Sequence, residues 1–107
     1  MANTFKNFTS SSVGTNETTT YITPLATTTV TIGLSVANTS ASQIKVTVKA
    51  AGVHVVKDAP IPAQSALSVL DGKIILESSD TVTVTSDTAA SADVVLSILE
   101  QTQWLDI

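Results

Sequence analysis

The chain has 107 residues, a length typical of one domain, with 43% hydrophobic residues, 13% charged residues and a formal net charge of −4. The absence of cysteine excludes a disulfide scaffold, a thiolate zinc site and a cysteine nucleophile. The negative charge and the absence of arginine argue against nucleic-acid binding, and no apolar run is long enough to predict a membrane-spanning helix.

Residues 1–20 are predicted to form an extended N-terminal arm. The segment consists mainly of Ser, Thr and Asn, and its large apolar side chains are Phe5, Phe8 and Val13. Three arrangements are open for it: docked on a neighbouring subunit through these side chains, folded back on its own domain, or added to a sheet as an edge strand. If the arm is an anchor, removal of residues 1–15 leaves a folded domain that no longer docks.

The sequence changes to a period of two after Tyr21. Residues 28–37 alternate between apolar and polar side chains, and so do residues 43–50, where Ile44, Val46 and Val48 are predicted to point inward. The five residues between them are Asn, Ser, Thr and Ala, which is typical of a turn. The pattern predicts two strands paired as a β-hairpin.

The middle of the chain contains further short strands. Residues 53–57 are predicted to be a strand, and Asp58–Pro62 a rigid connector, because its two prolines cannot donate to a central sheet. Residues 65–70 and 73–77 are predicted to pair as a hairpin about Asp71-Gly72, a strong two-residue turn signal.

Two more strands complete the prediction. Val82 and Val84 point inward from residues 81–85, and the nearly continuous apolar run 92–101 predicts a central strand covered on both faces. About eight short strands at regular spacing predict an all-β fold: a small antiparallel β-sandwich, jelly-roll or immunoglobulin-like, or a small barrel. This domain spans residues 21–107 and ends in a short C-terminal tail.

The residues do not form a recognisable catalytic constellation. The single histidine, His54, alternates with Val53 and Val55 and is predicted to be a surface strand residue. The acidic residues fall singly in different turns, without the spacing of a metal-binding loop. We therefore predict a protein that is not an enzyme, with no catalytic residue, no cofactor and no metal site.

Interaction chemistry is the remaining function class. Threonine-rich strand faces are polar without charge, so they are less costly to desolvate than charged faces and suit packing against other proteins. The candidate interface residues are the few large apolar and aromatic side chains outside the predicted core: Phe5, Phe8, Val13, Tyr21 and Trp104.

Charge is distributed unevenly along the chain. Four lysines and one glutamate give +3 over residues 1–57, whereas one lysine and eight acidic residues give −7 over residues 58–107. Two interpretations are open: complementary charge between subunits, or aspartates placed in turns for local hydrogen bonding.

The turn and strand residues resemble those of a family of small virion structural proteins of tailed bacteriophages, notably cyanophages. The resemblance covers nearly the whole chain and is carried by Val13–Thr15, Thr18–Tyr21, Pro24, Thr27–Leu34, Ala37-Asn38, Val56–Ala63, Val69–Glu77, Asp80, Val84–Ser86, Thr88-Ala89, Ser91–Val94 and Leu99-Glu100. The chain has Gln64 where the family often has glycine, and the tail with Trp104 is particular to this chain.

The resemblance implies a structural component of the virion, assembled in the host cytoplasm. We expect a capsid decoration or cement protein that binds the major capsid protein and itself, as a homo-oligomer, most simply a trimer. The alternatives are a neck, tail or baseplate protein, and a carbohydrate-binding or adhesion module that uses Tyr21 or Trp104. Neither nucleic acid nor membrane is an expected partner.

Overall fold

The computed structural model describes residues 2–70 and 73–102, and these form nine β-strands and no helix. The all-β class predicted from short strands at regular spacing is confirmed. The strands are β1 (Ala2–Val13), β2 (Thr18–Ile22), β3 (Thr27–Asn38), β4 (Ile44–Ala50), β5 (Val53–Ile61), β6 (Ala66–Ser68), β7 (Ile75–Leu76), β8 (Thr81–Ser86) and β9 (Ala92–Thr102).

Two antiparallel sheets make up the domain. Sheet A has the order β1-β9-β3, with β6 and β7 on the other side of β3, and sheet B has the order β2-β8-β4-β5. The inward side chains of both sheets form one core of β-branched and aliphatic residues. Its fully buried members include Ile44, Ile61, Leu76, Leu96, Ile98, Val36, Val46, Val48, Val84 and Val94.

Strand pairing is nested along the chain. The first strand pairs with the last, β2 pairs with β8, β3 pairs with β6 and β7, and β4 pairs with β5. The chain is therefore one long antiparallel hairpin folded over into two sheets, which is the jelly-roll arrangement. At its tip, Ala51 and Gly52 have φ of 53° and 78°, the left-handed conformation of a tight hairpin turn.

The predicted hairpin between residues 28–37 and 43–50 is wrong. Both segments are strands, and Ile44, Val46 and Val48 are fully buried as predicted. The strands, β3 and β4, lie in different sheets and do not pair. Alternation shows that each strand has one buried face, and that condition holds equally for hydrogen-bonded neighbours and for strands on opposite sides of a core.

Asn38 holds the arch that carries the chain from β3 to β4. Its side-chain amide donates to the carbonyl oxygens of Ser42, Ile61 and Pro62 at 2.8, 3.0 and 3.1 Å. Its Oδ1 accepts hydrogen bonds from the backbone N–H and the hydroxyl of Ser40 at 2.9 and 2.7 Å. An arch over the end of a sandwich leaves backbone groups without strand partners, and this buried side chain satisfies them.

The predicted hairpin about Asp71-Gly72, which lie outside the described residues, is also wrong. Strands β6 and β7 pair with the same edge of β3 instead of with each other. Hydrogen bonds from Val69 N to Leu34 O, and from Thr31 N to Ile74 O, extend this pairing between them. The two segments are therefore one interrupted edge strand.

The prolines at Asp58–Pro62 do not make a separate connector, because most of the segment belongs to β5. This strand lies at the edge of sheet B, where a missing backbone donor is tolerated, and Pro60 is opposite Lys45. The strand is bulged here. Asp58 has a φ of 51°, and its N–H donates to the hydroxyl of Thr47 at 3.1 Å.

The apolar run predicted to be a central strand is β9, which lies between β1 and β3. Its inward side chains, among them Leu96 and Ile98, are fully buried. The expectation that both faces are covered is wrong, because Val95 on the outward face is 46% exposed and no described part of the chain packs over it.

The predicted N-terminal arm, residues 1–20, contains β1 and the first three residues of β2. Residues 2–13 form β1 at one edge of sheet A, and β2 forms an edge of sheet B. Of the three arrangements open for this segment, the structure has the edge strand.

Candidate interaction surfaces

The outward face of sheet A carries a row of apolar side chains that crosses four strands. Register places Phe5 of β1 beside Leu99 of β9. It then places Val30 of β3 beside Leu99, and Ile75 of β7 beside Val30. Phe5 is 74% exposed and Ile75 is 56% exposed, while the two middle residues are half-buried. We call these four residues the outer row. A contiguous exposed apolar strip of this kind marks an interaction surface.

Further side chains widen this strip and give it a polar rim. Ile32 is 45% exposed on the neighbouring part of β3. It lines a shallow groove together with Phe5, Asn7 and Ser97. The hydroxyl of Ser97 donates to Asn7 Oδ1 at 2.8 Å, so these two polar groups are already partnered on the surface. An apolar centre with a satisfied polar rim is the composition typical of a protein interface.

The inward face of β1 is fastened to its own domain by a polar cluster. Lys6 Nζ lies 3.2 Å from Oε1 of Glu100, which is 5% exposed. The Tyr21 hydroxyl donates to Glu100 Oε2 at 2.7 Å and accepts from the hydroxyl of Thr29 at 2.8 Å. The Phe8 ring covers the cluster, with its centroid 4.7 Å from that of Tyr21. Removing β1 would therefore leave a buried carboxylate without its cation.

The polar cluster predicts a loss of stability at high pH. Burial raises the pKa of the Tyr21 hydroxyl from 10.0 to about 12. Because the folded state holds the proton more tightly than the unfolded state, this contribution is complete below about pH 10 and is lost as the pH rises toward 12. We expect the free energy of unfolding, measured with denaturant, to fall by roughly 2 kcal/mol over that interval. Tyr21→Phe serves as the control and should flatten this part of the profile, whereas an equal fall in both proteins would contradict the assignment.

The structure distributes the predicted interface residues between surface and core. Phe5 is on the surface. Val13 and Tyr21 are 2% and 3% exposed and belong to the core, and Phe8 is half-buried against that core. Trp104 lies outside the described residues. Of the four predicted interface residues that the structure describes, only Phe5 has an exposed side chain.

Sequence reasoning missed the other members of the outer row. The signal was present in residues 92–101, whose apolar side chains occupy both faces of a strand. That pattern predicts a strand buried on both sides within one chain. Leu99 and Val95 are instead apolar positions on a face that the described chain leaves open.

The aspartates described in the second half of the chain stabilise turns and strand ends. Each of three accepts a hydrogen bond from a backbone N–H: Asp80 from Glu77, Asp87 from Lys45 and Asp93 from Ser12, at 2.9, 3.1 and 2.9 Å. The hydrogen bond from Lys45 lowers the pKa of Asp87, with a second contribution from the Thr88 hydroxyl. The contact of Asp80 is local, whereas Lys45 and Ser12 are 42 and 81 residues from the aspartates that they contact. Local hydrogen bonding therefore accounts for Asp80, and the other two carboxylates hold distant segments of the domain together.

Two further features concern the described residues as a whole. They contain no group of three or more His, Asp or Glu side chains placed to hold a metal ion. Within the same residues there is no helix long and apolar enough to cross a membrane. His54 lies exposed on the edge strand β5.

Comparisons with known proteins identify a likeness of fold. No protein-family model matches the sequence, and no curated protein matches it. Among solved structures, a chain from Bacillus endospore appendages, a family of disulfide-linked pili, is similar to this one with a TM-score of 0.53. The two are 13% identical in sequence, and the match covers 96% of this chain and 88% of that chain. At this level of identity the likeness is one of fold.

Proposed function

We propose that this protein is a structural subunit of a virion, most simply a decoration or cement protein on a capsid shell, without enzymatic activity. The observation that carries the proposal is the outer row, a contiguous apolar strip on a sheet face that the described chain leaves uncovered. Its partners would be the major capsid protein or another virion protein, and other copies of this chain.

Two further observations support a virion component. Jelly-roll domains recur in viral capsid proteins, which is an analogy at the level of fold. In addition, Gln64 has a φ of 57°, the left-handed conformation that favours glycine. The resembling phage family often has glycine at this position, so the backbone here suits the family's pattern.

The mechanism of attachment would be geometric. The sandwich would lie with sheet A against the shell, and the outer row would lose its contact with water there. Because the Ser97 hydroxyl is already hydrogen-bonded to Asn7 Oδ1, these two groups would stay paired when the face is seated on the shell. On a shell covered by many copies, the loss of one copy would leave most of the surface covered. Copies linked in one oligomer would bind the shell more tightly than a single copy, because their contacts act together.

The test is binding to assembled shells that lack this protein. Phe5→Ser combined with Ile75→Ser removes apolar surface from both ends of the outer row, and we expect at least about tenfold weaker co-sedimentation with the shells, equivalent to 1.4 kcal/mol. Val53→Ser is the matched control, because Val53 is an exposed apolar residue, 68% exposed, on sheet B. Equal binding by the double variant and the control would overturn the assignment of the outer row.

Copy number separates the virion alternatives. A decoration protein should be present in hundreds of copies in each particle, whereas a neck, tail or baseplate protein should be present in the small multiples set by the symmetry of those parts. Quantitative protein analysis of purified virions measures this directly.

A second candidate is a subunit of a self-assembling filament. Its support is the fold shared with the endospore appendage chain, which forms disulfide-linked pili. This chain contains no cysteine, so a filament built from it could not be linked by disulfides. The carbohydrate-binding alternative relied on Tyr21 or Trp104. The Tyr21 ring is not available to a sugar, because it is buried and its hydroxyl is hydrogen-bonded inside the domain.

A further inference from the structure

The edges of the two sheets differ in how well they are protected against pairing with another chain. An edge strand exposes unpaired backbone N–H and C=O groups, and natural proteins blunt such edges with short strands, prolines, bulges or charges. Strand β5 has two register shifts, Pro60 and the bulge at Asp58. The edge made by β6 and β7 is interrupted, and β2 has five residues, a register shift and Pro24 shortly after its end.

Strand β1 has none of these protections over most of its length. It has twelve residues, and its register with β9 is continuous from Ala2 to Ser10. This stretch contains no proline, and its one charged side chain, Lys6, turns inward to Glu100. No described strand pairs with the other side of β1. Among the edges of the described chain, β1 is therefore the open one.

We propose that two copies of this chain pair through their β1 strands, antiparallel and about a two-fold axis. An antiparallel strand pair is self-complementary, so the same edge serves both partners. The charge pattern permits this pairing, because Lys6 is already neutralised within its own chain and the outward side chains are uncharged. These outward residues are Asn3, Phe5, Asn7 and Thr9.

The outer row favours a second copy of this chain over an unrelated strand. Residues paired across a sheet lie on the same face, so in the register that places Phe5 opposite Phe5 the two rings lie together at the axis. The outer rows of the two copies then join into one apolar strip that runs from Ile75 of one copy to Ile75 of the other. One open edge on each chain is enough to form a dimer, whereas the expected trimer, if built by the same strand pairing, would need two complementary edges on each chain.

The dimer is tested with the isolated protein, without shells. In Asn3→Lys/Thr9→Lys, residue 3 of one copy and residue 9 of the other are neighbours across the paired β1 strands, so the introduced lysines repel each other. By sedimentation analysis over a range of concentrations, we expect the unmodified protein to form dimers and this variant to dimerise at least about tenfold more weakly. His54→Lys/Ser68→Lys is the matched control, with two lysines on the protected edges, and should dimerise normally.

Amide hydrogen exchange of the unmodified protein gives a second measurement that does not depend on a variant folding. Alternate amides of β1 should become protected as the concentration rises through the dimer range, because every second N–H of an edge strand points away from its own sheet. A protein that stays monomeric at millimolar concentration, or a dimer unaffected by the β1 lysines with no change in β1 exchange, would overturn the inference. The inference extends the proposed assembly role but is independently measurable, since shell binding tests the outer row and dimerisation tests the edge.

Discussion

A chain that lacks residues 1–15 is expected to lose its cooperative unfolding transition. The deletion removes the whole of β1, including Val13, which is 2% exposed in the core. It also uncovers the edge of β9 and leaves Glu100 buried without Lys6. The combined cost should exceed about 5 kcal/mol, which is the whole stability of a marginal small domain. Thermal unfolding followed by circular dichroism measures the result.

A shorter deletion is the control for this experiment. Removing residues 1–7 keeps Phe8 over the Tyr21 ring and keeps Val13 in the core. We expect this protein to unfold cooperatively at a lower temperature than the full chain. If the deletion of residues 1–15 also unfolds cooperatively, at the midpoint of the full chain, then β1 is a dispensable arm and the sequence-based expectation of a free anchor is restored.

Asn38→Ala is expected to lower the free energy of unfolding by about 3 kcal/mol. The substitution removes the donor from three carbonyl oxygens and the acceptor from Ser40, at a side chain that is 2% exposed. Alanine cannot replace these contacts, and water has poor access to the arch. Chemical denaturation with a two-state fit gives the value, since a domain of this size usually unfolds in one step.

Two variants show whether the hydrogen bonds are responsible. Asn38→Asp keeps the size and the acceptor oxygen but directs negative charge at the three carbonyls, so it should destabilise the fold at least as much as alanine at neutral pH. Asn7→Ala removes an exposed asparagine with one surface hydrogen bond and should cost less than about 0.5 kcal/mol. A similar small cost for Asn38→Ala would show that the arch is held by its flanking strands alone.

Period-two patterning predicted the inward side chains but not the strand neighbours. Val46, Val48, Val82 and Val84 are buried where alternation predicts them. The connection after β3 nevertheless crosses from sheet A to sheet B, because the Asn38 amide donates hydrogen bonds to carbonyl oxygens of two segments at once, at Ser42 and at Ile61. The carbonyls of Ile61 and Pro62 are 23 and 24 positions away along the sequence, and a local pattern contains no information about them.

Strand β1 could not be recognised from the sequence for a different reason. Its two phenylalanines have opposite parity, so Phe5 points outward while Phe8 packs on the core. Most of the other residues on both faces are Ser, Thr or Asn, and no alternation is visible. An edge strand of this composition is stabilised mainly by the strand beside it, so its own sequence predicts only that it is extended.

The candidate surface was predictable in part. Phe5 was selected because a phenylalanine outside the recognised strands needs an explanation. The rest of the outer row lies on three other strands, and only the cross-strand register brings Leu99, Val30 and Ile75 beside Phe5. Sequence alone cannot fix that register when the strands are far apart along the chain.

The nested pairing of the strands also determines when the domain can form during synthesis. The β4–β5 hairpin is complete once residue 61 has left the ribosome, but β1 waits for β9, since Ala2 lies opposite Thr102. Pairing between distant segments is slow because a long loop must close first. Until residue 102 has left the ribosome, β1 therefore lacks its partner strand β9, and neighbouring nascent chains on one messenger RNA present identical copies of β1. The unpaired β1 strands of two nascent chains could thus pair with each other before β9 is made, and the same strand would then take part in dimer formation or in misassembly.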